Sequence, residues 1–167
     1  MINTEDKQAW CEAGLKHEFD FVDLCGSMLG LMANPAKLLE PDGKYAPDLI
    51  SYRYATVADV KRITTPFFKA GTYGFNPSTT ITINMKDLFR YQSYYPRIII
   101  YFWVTWRAQE EYGVLVDSID GVWATSLKTL FSINSPTTHT YVKRIDDSQG
   151  NAKSSLLVDL SKLWRAI

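Results

Sequence analysis

Two acids and a lysine carry the most chemistry in this chain: Asp48, in Pro47-Asp48, and the pair Asp59 and Lys61 on either side of Val60. Successive side chains of an extended strand point to opposite faces. Asp59 and Lys61 therefore share one face of a strand, while Val60 points the other way, into a core. If Pro47-Asp48-Leu49-Ile50 opens the preceding strand, a hairpin brings the Asp48 carboxylate beside Asp59. Two carboxylates and an ammonium then converge on one spot. A hard cation such as Mg²⁺ takes oxygen ligands, commonly one or two carboxylates plus a substrate phosphate. The lysine is left to contact the attacking water or the scissile phosphate, which suits metal-dependent cleavage of a phosphodiester.

Each of these residues also has an ordinary explanation. Pro-Asp favours turns. Asp59 lies between Ala58 and Val60 in an apolar, β-branched segment, where a charge has to be paired, exposed or coordinated. Lys61 on the same face would satisfy it as a simple ion pair, worth no more than about 1 kcal/mol if exposed.

Length and composition set the frame for these residues. The 167 residues suffice for one domain with a substantial core, and 46% hydrophobic with 22% charged residues is ordinary for a soluble globular protein. The 18 basic residues balance the 18 acidic ones, so no global field draws the chain to a polyanion. A local basic cleft offset by an acidic site remains compatible with that balance. Cys11 and Cys25 fall within one expected helix, roughly 21 Å apart and beyond disulfide reach, which implies free thiols in a reducing, cytoplasmic setting. The two histidines, His17 and His139, give no zinc-finger spacing and no supported catalytic pair. No secretory leader or membrane-length apolar run is visible. Neither a Gly-x-Ser-x-Gly elbow nor a Walker phosphate loop is present.

The elements that would position the acids follow from periodicity and punctuation. Thr4, with Glu5 and Asp6 behind it, caps a helix expected to run to about Met32, with Asn34-Pro35 breaking it. Pro41-Asp42-Gly43 is a turn signal. Tyr45 to Tyr54 and Thr56 to Thr64 read as strands. Pro66 to Thr79 reads as a long loop, a candidate substrate loop that its aromatics Phe67, Phe68, Tyr73 and Phe75 would also pack down. Thr80 to Ile83 is a short strand, and Asn84 caps a helix to about Tyr95. Arg97 to Trp106, with Ile98-Ile99-Ile100-Tyr101-Phe102-Trp103-Val104, is a strand buried on both faces. Val114 to Val116 reads as an adjacent strand, and Val122 to Ile133 as a helix. Tyr141 to Ile145 and Leu156 to Val158 read as a hairpin around Asp147 to Asn151, and Leu160 to Ile167 as a closing helix.

Pro47-Asp48 followed by Asp59-Val60-Lys61 resembles the signature of the PD-(D/E)XK nuclease superfamily. The order helix, strand, strand, loop, helix, very apolar strand is similar to that superfamily's core over about residues 5–106. The resemblance implies an α/β fold: a restriction-endonuclease-like core with a mixed central sheet flanked by helices, within a single nuclease domain over 1–167. Residues 107–167 would form a variable part, with a C-terminal β-hairpin and helix extension. It further implies a Mg²⁺-dependent endonuclease, with Mn²⁺ able to substitute, acting on double-stranded DNA as a homodimer or higher homo-oligomer. Asp48 and Asp59, with the Val60 backbone carbonyl, would bind metal, and Lys61 would act on water or phosphate. Glu18 is the candidate helical acid, with Glu12 its competitor and Asp20 a weaker one. Gln92 sits on the second helix, with Tyr94 and Tyr95 close behind at a spacing shorter than the family's usual one. Arg62, Lys69, Lys86 and Arg90, with Arg53 and Arg97 nearby, are candidate DNA contacts. Restriction and homing or other mobile-element roles fit equally. A Holliday-junction resolvase is the alternative within the class, and a nuclease-fold module that binds DNA or protein without cutting is the alternative outside it.

Overall fold

The computed structural model describes residues 7–39, 45–133, 137–140 and 154–167. It is an α/β fold around a mixed six-stranded sheet whose neighbouring strands are, in order, residues 31–33, 49–51, 56–63, 99–106, 119–126 and 164–165. Helix α1 (Lys7–Phe21) runs through a π-helical turn, Val22–Gly26, into a last helical turn, α2 (Ser27–Leu29). Gly30 stops it in the left-handed conformation at φ 73°, which a residue with a Cβ reaches only at a cost. The chain reverses there, and Leu31–Ala33 forms strand β1 instead of continuing the expected helix to Met32. The apolar residues run on, but their period changes from helix to strand.

A short helix, α3 (Pro35–Leu39), then leads to β2 (Leu49–Ser51) and β3 (Thr56–Ile63). The expected strand from Tyr45 to Tyr54 shrinks to β2, because Tyr52 to Ala55 form the turn and Ala55 takes φ 50°. Strands β1, β2 and β3 make an antiparallel meander, with Met32 opposite Ile50 and Leu49 opposite Ala58. The Pro66 to Thr79 segment contains a 3-10 helix over Phe68–Tyr73. It is pinned by buried Phe68 and Ala70, and by Phe67 and Tyr73 against His139.

Strand β4 (Thr80–Asn84) and helix α4 (Met85–Tyr94) follow, with the Asn84 side chain accepting from the Lys86 amide as the sequence leads one to expect. Strand β5 (Ile99–Trp106) then lies parallel to β3, with Asp59 beside Ile100 and Lys61 beside Phe102. Five of its apolar residues are fully buried or nearly so: Ile100, Tyr101, Phe102, Val104 and Trp106.

Beyond β5 the sequence reading needs three corrections. Strand β7 (Val114–Val116) pairs with β6 (Gln109–Glu111) in a separate hairpin, turned at Tyr112 and Gly113 with φ of 54° and 73°. The Val122 to Ile133 stretch is not one helix. Ile119–Ser126 is strand β8, paired antiparallel with the whole of β5, and α5 spans only Leu127–Ile133. A continuous apolar run has no period that separates buried strand from buried helix. Ser126 marks the boundary, its hydroxyl accepting from the Thr129 amide at 3.1 Å. The closing helix is also absent. A 3-10 turn at Leu160–Lys162, capped by Asp159, gives way to the edge strand β11 (Trp164–Arg165) on β8. Thr138–Thr140 is strand β9, antiparallel to β10 (Ser154–Asp159), and β10 also pairs with β4; the first strand and the turn of the expected C-terminal hairpin lie outside the described residues. Thr4, Glu5, Asp6, the Pro41-Asp42-Gly43 turn, Tyr141 to Ile145 and Asp147 to Asn151 lie outside the described residues, as do the side chains of Cys11 and Glu12.

The two sheet faces carry two cores. Phe21, Cys25 and Leu29 pack with Leu49, Ala58, Val60 and Tyr101 on one face. Leu88 and Tyr91 of α4 and Leu127 and Leu130 of α5 pack with Ile100, Phe102 and Val104 on the other. Strand alternation thus sends Val60 into the first core, as expected, and aims Asp59 and Lys61 toward the α4 side. Cys25 is a free, buried thiol that donates to the Phe21 carbonyl, and burial pushes its pKa up to about 11. Among the described residues no helix is long and apolar enough to cross a membrane.

Candidate active site

The acids and lysines are positioned by α1, α3, the entry to β2, strand β3 and helix α4. Asn34 sets the first part. It is 6% exposed, and its side-chain oxygen accepts from the Ala36 amide at 3.1 Å, capping α3. Its side-chain nitrogen donates to the Pro47 carbonyl at 2.8 Å, and its amide donates to the Asp48 carbonyl at 3.0 Å. One residue therefore ties the start of α3 to Pro47-Asp48 and hangs Lys37 over Asp48.

The Lys37 ammonium lies between two acids. It donates to Glu18 at 2.5 Å and to Oδ1 of Asp48. The other Asp48 oxygen accepts from the Val60 amide at 3.2 Å, so Asp48 is fixed against β3 next to Asp59. Burial disfavours the Lys37 charge, but the carboxylates of Asp48 and Glu18 outweigh it and raise its pKa.

On the α4 side, Asp59 is 2% exposed. Its Oδ2 lies 2.7 Å from the Lys61 ammonium, yet no donor is aligned to hydrogen-bond that oxygen among the described residues. Burial raises the Asp59 pKa first, Lys61 pulls it back, and the neighbouring Asp48 charge adds to the rise. For Lys61, burial pulls down, but Asp59, Tyr91, Asp87 and Asp48 together hold its pKa well above the ordinary lysine value. Asp87 lies 3.5 Å from the Lys61 ammonium and 3.3 Å from Arg90. The fully buried Tyr91 ring lies under Lys61 at 5.7 Å, and its hydroxyl accepts from Arg90 at 3.4 Å.

The structure therefore brings Glu18, Asp48, Asp59 and Lys61 into one charged cluster, and Arg90 joins its rim. It does not bring in every candidate. Arg62 alternates to the opposite sheet face and stacks on Trp103 at 4.0 Å. Lys69, Lys86 and Gln92 are exposed, on the 3-10 segment and on α4. Val60 meets the cluster through its amide. Sequence reasoning missed Lys37, Asn34, and the joint contact of Asp87 and Tyr91 with Lys61. The last had a signal: residues four apart on a helix share a face, and that face is the one α4 turns to β3. Lys37 had none, since a long-range pair leaves no mark in spacing.

Hard, oxygen-only donors suit Mg²⁺, which keeps several waters and needs only one or two carboxylates. Asp48 and Asp59 could supply that set, with Lys61 already against the Asp59 oxygen. Among the described residues, no three acid, imidazole or thiol groups by themselves gather closely enough to hold an ion. A cavity of about 260 Å³ lies elsewhere, lined by Tyr54, Ser126, Thr129, Lys162 and Trp164 among others, and shares no residue with the cluster. Compared with family models, curated proteins and solved structures, the chain has no significant match to any of them.

Proposed function

We propose that this protein is a divalent-metal-dependent DNA endonuclease of the PD-(D/E)XK type, with a restriction-endonuclease-like core. The observation that carries the reading is the convergence of Asp48, Asp59 and Lys61, held from adjacent strands, with Glu18 approaching from the first helix. The topology supports it as well. A first helix, an antiparallel meander ending in the Asp59 strand, a helix, then an apolar strand parallel to it is the order that the resemblance implies.

Asp48 and Asp59, with the Val60 carbonyl, would hold Mg²⁺ or Mn²⁺. The ion supplies charge neutralisation at the phosphate and a more acidic bound water. The chain's own residues do the rest. The Asp48 carboxylate is locked by the Val60 amide. Lys61, kept protonated by its acidic neighbours, offers an ammonium to the developing negative charge. Tyr91 and Asp87 hold that ammonium in place from α4. Arg90 and the exposed Lys86 lie on the α4 side, where DNA phosphates would approach. Site-specific cleavage of symmetric DNA would require a homodimer or higher homo-oligomer.

Incubation with supercoiled plasmid, linear duplex and a four-way junction, in Mg²⁺ or in EDTA, tests the reading. Cleavage of duplex that is Mg²⁺-dependent and lost in Asp59→Asn is expected. Cleavage confined to the junction would make the protein a resolvase. Binding of DNA with no cleavage in Mg²⁺ or Mn²⁺ would make it a non-catalytic module and end the nuclease proposal.

A further inference from the structure

We propose that Lys37 is an internal cation of this site, one that occupies the space between Glu18 and Asp48 and that a divalent ion must displace in order to bind. The inference rests on the metal-site reading above and adds a control that nothing in the motif implies.

The geometry is specific. Lys37 comes from a helix of five residues, α3 (Pro35–Leu39), and that helix is tied by Asn34 to the backbone of the acid it contacts. Its ammonium bridges two carboxylates from different elements, Glu18 of α1 and Asp48 at the entry to β2. Asp48 is one of the oxygen donors proposed above for a hard cation, and Glu18 is the helical acid beside it. An ammonium and a divalent ion repel each other and compete for the same oxygens, so at contact distance they do not share the space. The Lys37 side chain is 17% exposed, so the amine has an outlet to solvent along its flexible stem.

The exchange balances in charge. With Lys37 in place, Glu18 and Asp48 have one positive partner between them, and the metal-free fold is not left with adjacent buried acids. When the ion arrives, the carboxylates trade a monovalent partner for a divalent one, and the ammonium moves out with its proton. Lys37 thus lowers the apparent affinity for metal and keeps the site intact without it. The nearby Lys61 does not have this role. Its ion pairs are with Asp59 and Asp87, and the proposed chemistry requires it to remain.

Mn²⁺ binding by the full chain, followed by electron paramagnetic resonance of free ion and by calorimetry, tests the competition without DNA or cleavage. Native protein is compared with Lys37→Met, which keeps the stem, and Lys37→Gln, which keeps a polar end should the first variant fold poorly. Both variants are expected to bind Mn²⁺ at least roughly tenfold more tightly, the loss of a unit charge at contact being worth more than that. Their melting temperatures should be below native in EDTA and should rise more steeply with Mn²⁺. Asp48→Asn should remove binding in either background. Binding that depends on Asp48 but is equal or weaker in the Lys37 variants overturns the competition and leaves the metal reading standing. No Mn²⁺ binding by any of these proteins overturns both.

Discussion

At Asp59, burial and charge pull in opposite directions, and the balance gives a prediction with a definite sign. Its pKa in the fold is raised, mainly by burial. A carboxyl of this kind favours the fold while protonated. That contribution is fully present below the unfolded carboxyl pKa of about 4, and it is lost as pH rises through the folded value. Asp59→Asn cannot titrate there, so it should lack this fall in stability between about pH 4 and neutrality. Urea unfolding across that range measures it, and the same variant should not cut DNA. Lys61 gives the matching case. Its partner is almost fully buried, so the value of an exposed pair does not apply, and removing one member of a buried pair costs about 3–5 kcal/mol unless the other is neutralised. Lys61→Met should therefore destabilise the fold by well over about 1 kcal/mol, the exposed-pair limit. It should recover much of that when combined with Asp59→Asn. Single-turnover cleavage by the folded single variant should fall by at least roughly 10²-fold, with duplex affinity changed far less.

At the scale of elements, the site depends on connections that Asn34 and Gly30 make. Asn34→Ala removes the α3 cap and leaves the Pro47 carbonyl without its donor. A cap is worth about 1 kcal/mol and an orphaned buried acceptor about 1–3 kcal/mol. A loss of about 2 kcal/mol or more is expected by chemical denaturation. Gly30 ends the first helix with φ of 73°, and a Cβ there would lie 2.9 Å from that of Arg53. Gly30→Ala should cost at least the roughly 1–2 kcal/mol of a left-handed residue, read as a lower midpoint in urea.

For the molecule as a whole, the consequential fact is that the C-terminal third completes the central sheet. Strand β8 pairs with β5 from Ile99 opposite Ser126 to Trp106 opposite Ile119. The last residue is tied in as well, the Ile167 carbonyl accepting from the Val122 amide at 3.2 Å. A chain ending at Trp106 would expose one side of its most apolar strand to water and leave a row of unpaired backbone groups. Such a fragment, although it contains every residue of the candidate site, should fail to fold cooperatively. Circular dichroism melting and limited proteolysis would show a broad transition and rapid digestion.

The sequence by itself determined the strand that bears Asp59 and Lys61, their shared face, the inward turn of Val60, the cap at Asn84 and the buried strand that follows. Each of these rests on local rules: the two-residue strand period, a capping side chain, an apolar run bounded by proline. Local rules went wrong where one composition serves two structures. Val122 to Ser126 became strand because β5 offered an unpaired edge, and Trp164-Arg165 did so because β8 offered the next. Only the tertiary structure decided that Lys37 lies between Glu18 and Asp48, that Asp87 and Tyr91 hold Lys61, and that Arg62 faces away. Those contacts join segments far apart in the chain, and their strength comes from burial and low local dielectric, which no spacing of residues encodes.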